Sequence, residues 1–284
     1  MKIARVASMS GVIGWPVAHS LSPRLHSFWL KEYGIDGAYI PLAVKPENLP
    51  LALWALPALG FRGVNVTVPH KEQALQLVDK ADSAARRVGA VNTISFNKNG
   101  KLLGSNTDAY GFMENLQVNA PEWISKKPAL VIGAGGAARA VCAGLLDAGV
   151  PEVRVCNRTI ARATSLANDL GGPIQTLSWR DRVEAADGVG LLVNTTNLGM
   201  VGEPSLDMPL TKLPTGALVT DLVYAPLMTT LLTEAQARGN PVVDGLGMLL
   251  HQATPGFDAC HGRKGQEQIS PRAQYTLHFV GKPL

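Results

Sequence analysis

Residues 128–159, PALVIGAGGAARAVCAGLLDAGVPEVRVCNRT, decide the fold. An apolar run, ALVI, meets Gly133, Gly135 and Ala138 in the spacing G-x-G-x-x-A. A helical pattern follows and closes at Gly149, and a second apolar strand, EVRVC, completes a βαβ unit. A glycine triplet alone signals little; between a strand and a helix it is the dinucleotide-binding fingerprint. Glycines there let the backbone approach a pyrophosphate, whose charge rests on the free N–H groups and positive dipole end of the helix. At the end of the second strand an acidic residue would bind a ribose 2′-hydroxyl, but this chain has Asn157, Arg158 and Thr159. A guanidinium at that place suits a 2′-phosphate. Thr159 has the character of a helix N-cap, which puts Arg162 in the following first turn beside the same anion. NADP is therefore the expected cofactor.

Working outward, EVRVCN, LLVNTT, ALVTDLVY and PVVDG supply further buried strands between helical patterns. Upstream, SGVIGW, GAYIPLAV and GVNVTV alternate with the helical patterns SPRLHSFWLKEYG, ENLPLALWALPALG and KEQALQLVDKADSAARRVG. That order predicts an α/β protein with a largely parallel sheet in each half. The expected organisation is an N-terminal α/β substrate-binding domain, residues 1–107 with a returning segment 245–284. A Rossmann-type doubly wound parallel-sheet NADP-binding domain takes residues 108–244. With 284 residues, 46% hydrophobic and 17% charged, the chain has material for two cores. The net charge of +4 is scattered, and its closest cluster, RKGQ from Arg263, is short. Nucleic-acid binding is not expected, whereas a modest positive field suits an anionic small molecule. Cys142, Cys156 and Cys260 are odd in number and far apart, so neither a disulfide framework nor a zinc site is expected. No apolar run reaches membrane-spanning length, and the chain is read as cytoplasmic.

The first half carries the reactive groups. In GVNVTVPHK, strand alternation sends Asn65 and Thr67 to one face and Val64, Val66 and Val68 to the other, before Pro69 ends the ladder and Lys71 opens a helix. The carboxyl end of a parallel strand is where such sheets bind ligands. GAVNTI offers Asn92 and GSNTDAYG offers Asn106 and Asp108 in the same way. In HSLSPRLH, Ser22 before Pro23 reads as an N-cap, and the helix start with Ser20 nearby also forms a carboxylate site. His19 and His26 lack a third ligand at metal-binding spacing, so they are read as packing or helix-surface residues; no metal is expected. The aromatic residues of FWLKEY are read as core.

GWPVAHSLSPRLH, GVNVTVPHK, GAVNT, GSNTDAYG, GAGGAARA, NRT, NTTNLGM, DLVYAP and DGLGMLLHQA occur in this order from residue 11 to about 253. In these stretches the chain resembles the shikimate dehydrogenase family, whose members interconvert 3-dehydroshikimate and shikimate with NADP. The resemblance implies that Ser20 and Ser22 hold the substrate carboxylate, and that Thr67, Asn92, Tyr224 and Gln252 bind ring hydroxyls with Asn65 lining the pocket. It makes Lys71 and Asp108 the catalytic pair. It assigns Gly133, Ala134, Gly135, Gly136 and Ala137 to the pyrophosphate, and Asn157, Arg158, Thr159 and Arg162 to the adenosine phosphate end. Leu222, Gly245 and Met248 fall to the nicotinamide. Lysine is protonated near neutrality, so Lys71 is ready to donate to a developing alkoxide during reduction. Quinate or dual quinate/shikimate activity is the neighbouring reading, and a weakly catalytic sensor the more distant one. A monomer or homodimer is expected.

The resemblance weakens after Gln252. Pro255 and Gly256 interrupt a helical pattern, which predicts a kink or stop, and Cys260 stands where relatives carry tryptophan. Ser27 replaces a common asparagine. The tail from Gly262 lacks a helical apolar period.

Overall fold

A computed structural model describes residues 7–18, 20–123 and 126–262. His19, the RKGQ cluster and the tail from Arg263 lie outside the described residues. Two compact units divide the chain: one runs to Thr107 and is rejoined by the chain from Gln252, the other is Asp108–His251.

The first unit contains β1 (Ser8–Gly14), α1 (Ser22–Glu32), β2 (Gly37–Ala43), α2 (Leu49–Ala55), β3 (Phe61–Val66), α3 (Lys71–Leu77), β4 (Lys80–Ala81), α4 (Ser83–Val88), β5 (Thr93–Phe96) and β6 (Leu102–Ser105). Its six-stranded sheet has the order β2-β1-β3-β5-β6-β4. β1 pairs in parallel with β2 and β3, but β5 runs antiparallel to β3 and to β6. The sheet is therefore mixed rather than largely parallel. A tight turn at Asn97–Gly100, where the Asn97 side chain accepts from the Asn99 and Lys101 amides, returns β5 directly into β6 as its antiparallel neighbour. Ile13, Val64, Val66 and Ile94 from the sheet pack with Leu49 and Leu53 of α2. Val68, expected with the buried valines, lies beyond the end of β3 and is 68% exposed.

The single helical run expected across 71–89 is two helices. Asp82 accepts from the Ala85 amide at 2.7 Å and starts α4 afresh, after the short β4 has joined β6.

The second unit contains α5 (Asp108–Asn119), β7 (Ala129–Ile132), α6 (Gly136–Asp147), β8 (Val153–Asn157), α7 (Ile160–Leu170), β9 (Ile174–Ser178), β10 (Leu191–Asn194), β11 (Leu218–Asp221), α8 (Thr230–Ala237) and β12 (Val242–Val243). Its sheet is parallel throughout in the order β12-β11-β10-β7-β8-β9, turning outward in both directions from β7. All four residues of β7 are buried, as an unbroken apolar run in the centre of a parallel sheet requires. The partly polar edge strand β9 had no clear signature in the sequence.

The last described element, α9 (Leu246–His261), starts in the second unit and from Gln252 belongs to the first. It passes through Pro255 without stopping, contrary to the expectation from local propensity. Phe257 and Cys260 are buried, and the His261 ring meets Ser8 Oγ at 3.0 Å and Ser10 Oγ at 3.1 Å. The packing of Phe257 and Cys260 and the His261 bonds outweigh one missing backbone bond.

Candidate active site

In the first unit the polar residues singled out at the strand ends are tied to one another. The Thr67 amide donates to the Ile13 carbonyl at 2.8 Å, the Val66 amide to the Asn92 carbonyl at 2.8 Å, and the Val91 amide to the Lys71 carbonyl at 2.9 Å. Lys71, the first residue of α3, is thereby fixed beside the 91–92 backbone with its side chain half-buried. Gly14 makes room for Thr67: a Cβ on Gly14 would lie 2.5 Å from the threonine methyl. Asn92 is buried, and its Nδ2 donates to Thr107 Oγ1 at 2.9 Å and Gln252 Oε1 at 3.3 Å. Thr107 Oγ1 in turn donates to the Gln252 carbonyl at 2.8 Å. Gln252 is thus held twice, on a helix that the proline was expected to disrupt.

Gly256 explains how α9 comes so close. A Cβ there would stand 3.0 Å from Asn65 Nδ2 and 3.3 Å from Thr93 Oγ1. Asn65 is buried and fully engaged: Tyr39 Oη donates to its Oδ1 at 2.7 Å, while its Nδ2 donates to Thr93 Oγ1 at 3.0 Å and the Asn92 carbonyl at 3.3 Å.

Ser22 is the first residue of α1, not its cap. Leu21 holds the cap position without a side-chain bond, and the Ser22 amide donates to Ser20 Oγ at 3.3 Å. Asn106 is buried, and its Nδ2 donates to the Ala90 carbonyl at 2.9 Å. His26 is buried in an aromatic cluster, stacked on Tyr39 with ring centroids 4.0 Å apart. Burial, with a smaller contribution from nearby His261, pushes its pKa down to about 3.

The second unit holds the other residues. Asp108 is buried as the first residue of α5, where the helix dipole favours a carboxylate. Gly133 has φ +115°, and a Cβ on it would sit 2.5 Å from Thr195 Oγ1. Gly135, the cap residue of α6, has an ordinary extended backbone, and a Cβ on it would meet nothing within 4 Å. Only the first glycine is required by the protein itself. The second leaves open the surface over the α6 N-terminus, with Ala134, Gly136 and Ala137 alongside, and this is the room a pyrophosphate needs. The residues present thus fit a dinucleotide.

Arg158 and Arg162 are both exposed at the start of α7. Thr159 occupies the cap position without a side-chain cap bond; instead Asn157 Nδ2 donates to its carbonyl at 2.8 Å. Leu222 is half-exposed at the end of β11, and Gly245 lies against its carbonyl so closely that no side chain fits. Met248 is buried nearby in sequence on α9, and Tyr224 is half-buried.

Beneath this loop is a group the sequence reading passed over. Asp221 is completely buried, accepting from Asn194 Nδ2 at 3.0 Å, the Val223 amide at 2.9 Å and Thr229 Oγ1 at 2.8 Å. Burial raises its pKa, and these bonds oppose the rise. NTTNLGM and DLVYAP contain Asn194 and Asp221, so the signal was in the motifs but gave no role. Among the described residues, no three His, Cys, Asp or Glu side chains gather as a metal group, and no helix is long and apolar enough to cross a membrane.

Two family models match the chain: the shikimate dehydrogenase substrate binding domain over residues 12–94 and shikimate / quinate 5-dehydrogenase over residues 116–197. A shikimate dehydrogenase (NADP(+)) of Paramagnetospirillum magneticum is 59% identical across 94% of this chain and 97% of its own length. The chain belongs to the shikimate dehydrogenase family. Within the family, the Rhodospirillum rubrum shikimate dehydrogenase (NADP(+)) is 58% identical over 98% of both chains. The crystal structure of the Thermus thermophilus shikimate 5-dehydrogenase in complex with NADP(H) and shikimate superposes with a TM-score of 0.80. It has 41% identity and covers 91% of this chain and 95% of that one.

Proposed function

We propose that this chain catalyses the reversible NADP-dependent reduction of 3-dehydroshikimate to shikimate, with the chemistry carried by Lys71 and Asp108. The observation that carries the reading is the linkage in the first unit. Asn92 and Gln252, assigned to the ring hydroxyls, are hydrogen-bonded to each other, and the 91–92 backbone that carries Asn92 also holds Lys71 through the Val91 amide. Such a framework presents donors and acceptors for a small polyhydroxylated acid.

The cofactor supplies or accepts the hydride when bound. The chain's own part is to manage the proton. During reduction the Lys71 ammonium gives a proton to the oxygen that was the ketone; during oxidation the same nitrogen takes it back, and Asp108 completes the pair. Ser20 and Ser22 orient the acid through its carboxylate, and Thr67, Asn65, Asn92, Tyr224 and Gln252 orient its ring. Gly133–Ala137 carry the pyrophosphate. Asn157, Arg158, Thr159 and Arg162 receive the adenosine phosphate, and Leu222, Gly245 and Met248 flank the nicotinamide. The buried cysteines are free thiols, which agrees with work in a reducing cytoplasm.

The test is Lys71→Ala. The expected outcome is a loss in kcat of about 10²- to 10⁴-fold with shikimate affinity nearly unchanged. A kcat within a few-fold of the parent would remove Lys71 from the mechanism.

A further inference from the structure

Asp221, Asn194 and Ile132 stand side by side at the carboxyl ends of β11, β10 and β7, in register across three neighbouring parallel strands. Gly133 and the pyrophosphate turn follow Ile132; Leu222 and the turn assigned to the nicotinamide follow Asp221. Both turns are braced on the strand between them. Thr195 Oγ1 donates to the Ile132 carbonyl at 2.7 Å, and the Leu222 amide donates to the Asn194 carbonyl at 3.0 Å. Asp221 therefore belongs to the row of strand ends on which such a sheet carries its cofactor.

Every hydrogen bond of Asp221 is donated to it. The Thr196 amide, which only donates, reaches Asn194 Oδ1 at 3.0 Å and fixes which end of that side chain is oxygen. Asn194 Nδ2 is thus the group that faces Asp221 Oδ1, and the Val223 amide donates to the same oxygen. Thr229 Oγ1 accepts from the Leu232 amide as the cap of α8, which leaves its proton for Asp221 Oδ2. Three converging donors and the start of α8 favour the ionised carboxylate against the cost of burial. All three donors are neutral, and among the described residues no cation pairs with the group. A buried charge without a counter-charge is costly. The fold gains nothing from it that an amide oxygen would not give to Val223 and Asn194.

We propose that Asp221 determines which oxidation state of the cofactor the second unit prefers: its buried negative charge favours the oxidised nicotinamide, which is cationic, over the reduced ring, which is neutral. This rests on the reading that Leu222, Gly245 and Met248 flank the nicotinamide. The carboxylate acts through its field and through the turn it holds, without touching the ring. Favouring the oxidised ring strengthens hydride donation, so the bias serves the reductive direction.

The test measures dissociation constants of NADP⁺ and NADPH by calorimetry near neutrality for the parent, Asp221→Asn and Thr229→Val. Asp221→Asn keeps an oxygen for Val223 and Asn194 and removes the charge. It is expected to weaken NADP⁺ relative to NADPH by about three- to fifteenfold, as one unit charge acting over about 10 Å of protein implies. Thr229→Val loosens the same group while leaving the charge, and is expected to change both constants alike. A merely structural role would move the two constants together in both variants. An unchanged ratio in Asp221→Asn, or a ratio that moves as far in Thr229→Val, overturns the proposal. Should Asp221→Asn not fold, Asp221→Ser supplies the neutral variant, since its hydroxyl accepts from an amide two residues on in the same way. The nicotinamide reading is checked separately in the parent, by nuclear Overhauser contacts between the Leu222 methyl groups and the nicotinamide protons of bound NADP⁺. Contacts present with an unchanged ratio remove the charge effect alone; contacts absent remove the nicotinamide reading and the proposal with it.

Discussion

The two units prepare their ligands in opposite ways. In the first, side chains hold side chains: Asn65, Thr93, Asn92, Thr107 and Gln252 occupy one another's hydrogen bonds, and Lys71 is fixed by the backbone beside them. In the second, the surface proposed for the pyrophosphate is made by leaving side chains out. Gly133 is needed because the fold has no room for a Cβ, Gly135 leaves space the fold does not use, and Gly245 admits the Leu222 carbonyl. A substrate with several hydroxyls and one charge is read by directed polar groups, whereas a pyrophosphate is read by backbone N–H groups that side chains would cover. Substitutions should therefore fail differently in the two units.

The sharpest contrast within the second unit sets Gly133→Ala against Gly135→Ala. Gly133→Ala meets Thr195 and must adopt a positive φ, a strain of about 1–3 kcal/mol before the clash is counted. It is expected to lower the thermal midpoint and to raise KM for NADP⁺ by about 10²-fold. Gly135→Ala should leave the midpoint nearly unchanged and still raise KM for NADP⁺ by about tenfold, since its methyl covers only the ligand's side. Equal thermal midpoints for the two variants would break the distinction between a glycine the fold needs and one the ligand needs. Arg158→Ala is expected to raise KM for NADP⁺ by about five- to tenfold while leaving any NAD⁺ turnover unchanged, because a single exposed charge-assisted contact is lost. Equal effects on both cofactors would place the guanidinium away from the 2′-phosphate.

On the substrate side, Gly256→Ala presses a methyl on the Asn65 amide and is expected to cost about 1–3 kcal/mol of stability. It should raise the shikimate KM a few-fold with kcat and KM for NADP⁺ unchanged; a variant altered only in NADP⁺ kinetics would contradict the role given to α9. The smallest effect concerns acid. Folded His26 refuses a proton until about pH 3, whereas the unfolded chain binds one near 6.5. The stability due to neutral His26 is complete above 6.5 and is lost as pH falls from there toward 3. His261, lowered to about 4 by desolvation and by Arg62, contributes with the same sign. Denaturant unfolding across that range should show a shallower slope for His26→Phe than for the parent. An unchanged slope would mean that His26 is accessible to protons in the folded state.

The part legible in the sequence was the part with local causes. The strand–glycine–helix order of residues 128–159 predicted β7, α6 and β8, and alternation in GVNVTVPHK separated Asn65, which bonds to Tyr39 and Thr93, from Val64 and Val66, which pack in the core. What escaped depends on neighbours distant in the chain. Tyr39 reads as one more core aromatic in GAYIPLAV; its meeting with Asn65 follows only from β1 pairing with both β2 and β3. Pro255 and Gly256 read as a helix break because propensity is local, yet the glycine is what lets α9 lie against Asn65. Asp221 has no charged partner in its motif, and its three donors come from β10, its own following turn and the cap of α8. The hairpin at Asn97–Gly100 and the cap at Asp82 did have local signals, in NKNG and in an aspartate before a helix, and these were outweighed by the βα rhythm around them.

The most direct measurement crosses shikimate and quinate with NADP⁺ and NAD⁺ in initial rates followed by nicotinamide absorbance, because acid choice reads the first unit and cofactor choice the second. Efficient turnover with shikimate and NADP⁺, and a large fall in kcat/KM when either is replaced, is the predicted result. Preference for quinate would contradict the substrate assignment, preference for NAD⁺ would contradict the role of Arg158, and absence of turnover by folded protein would contradict the catalytic assignment of Lys71 and Asp108.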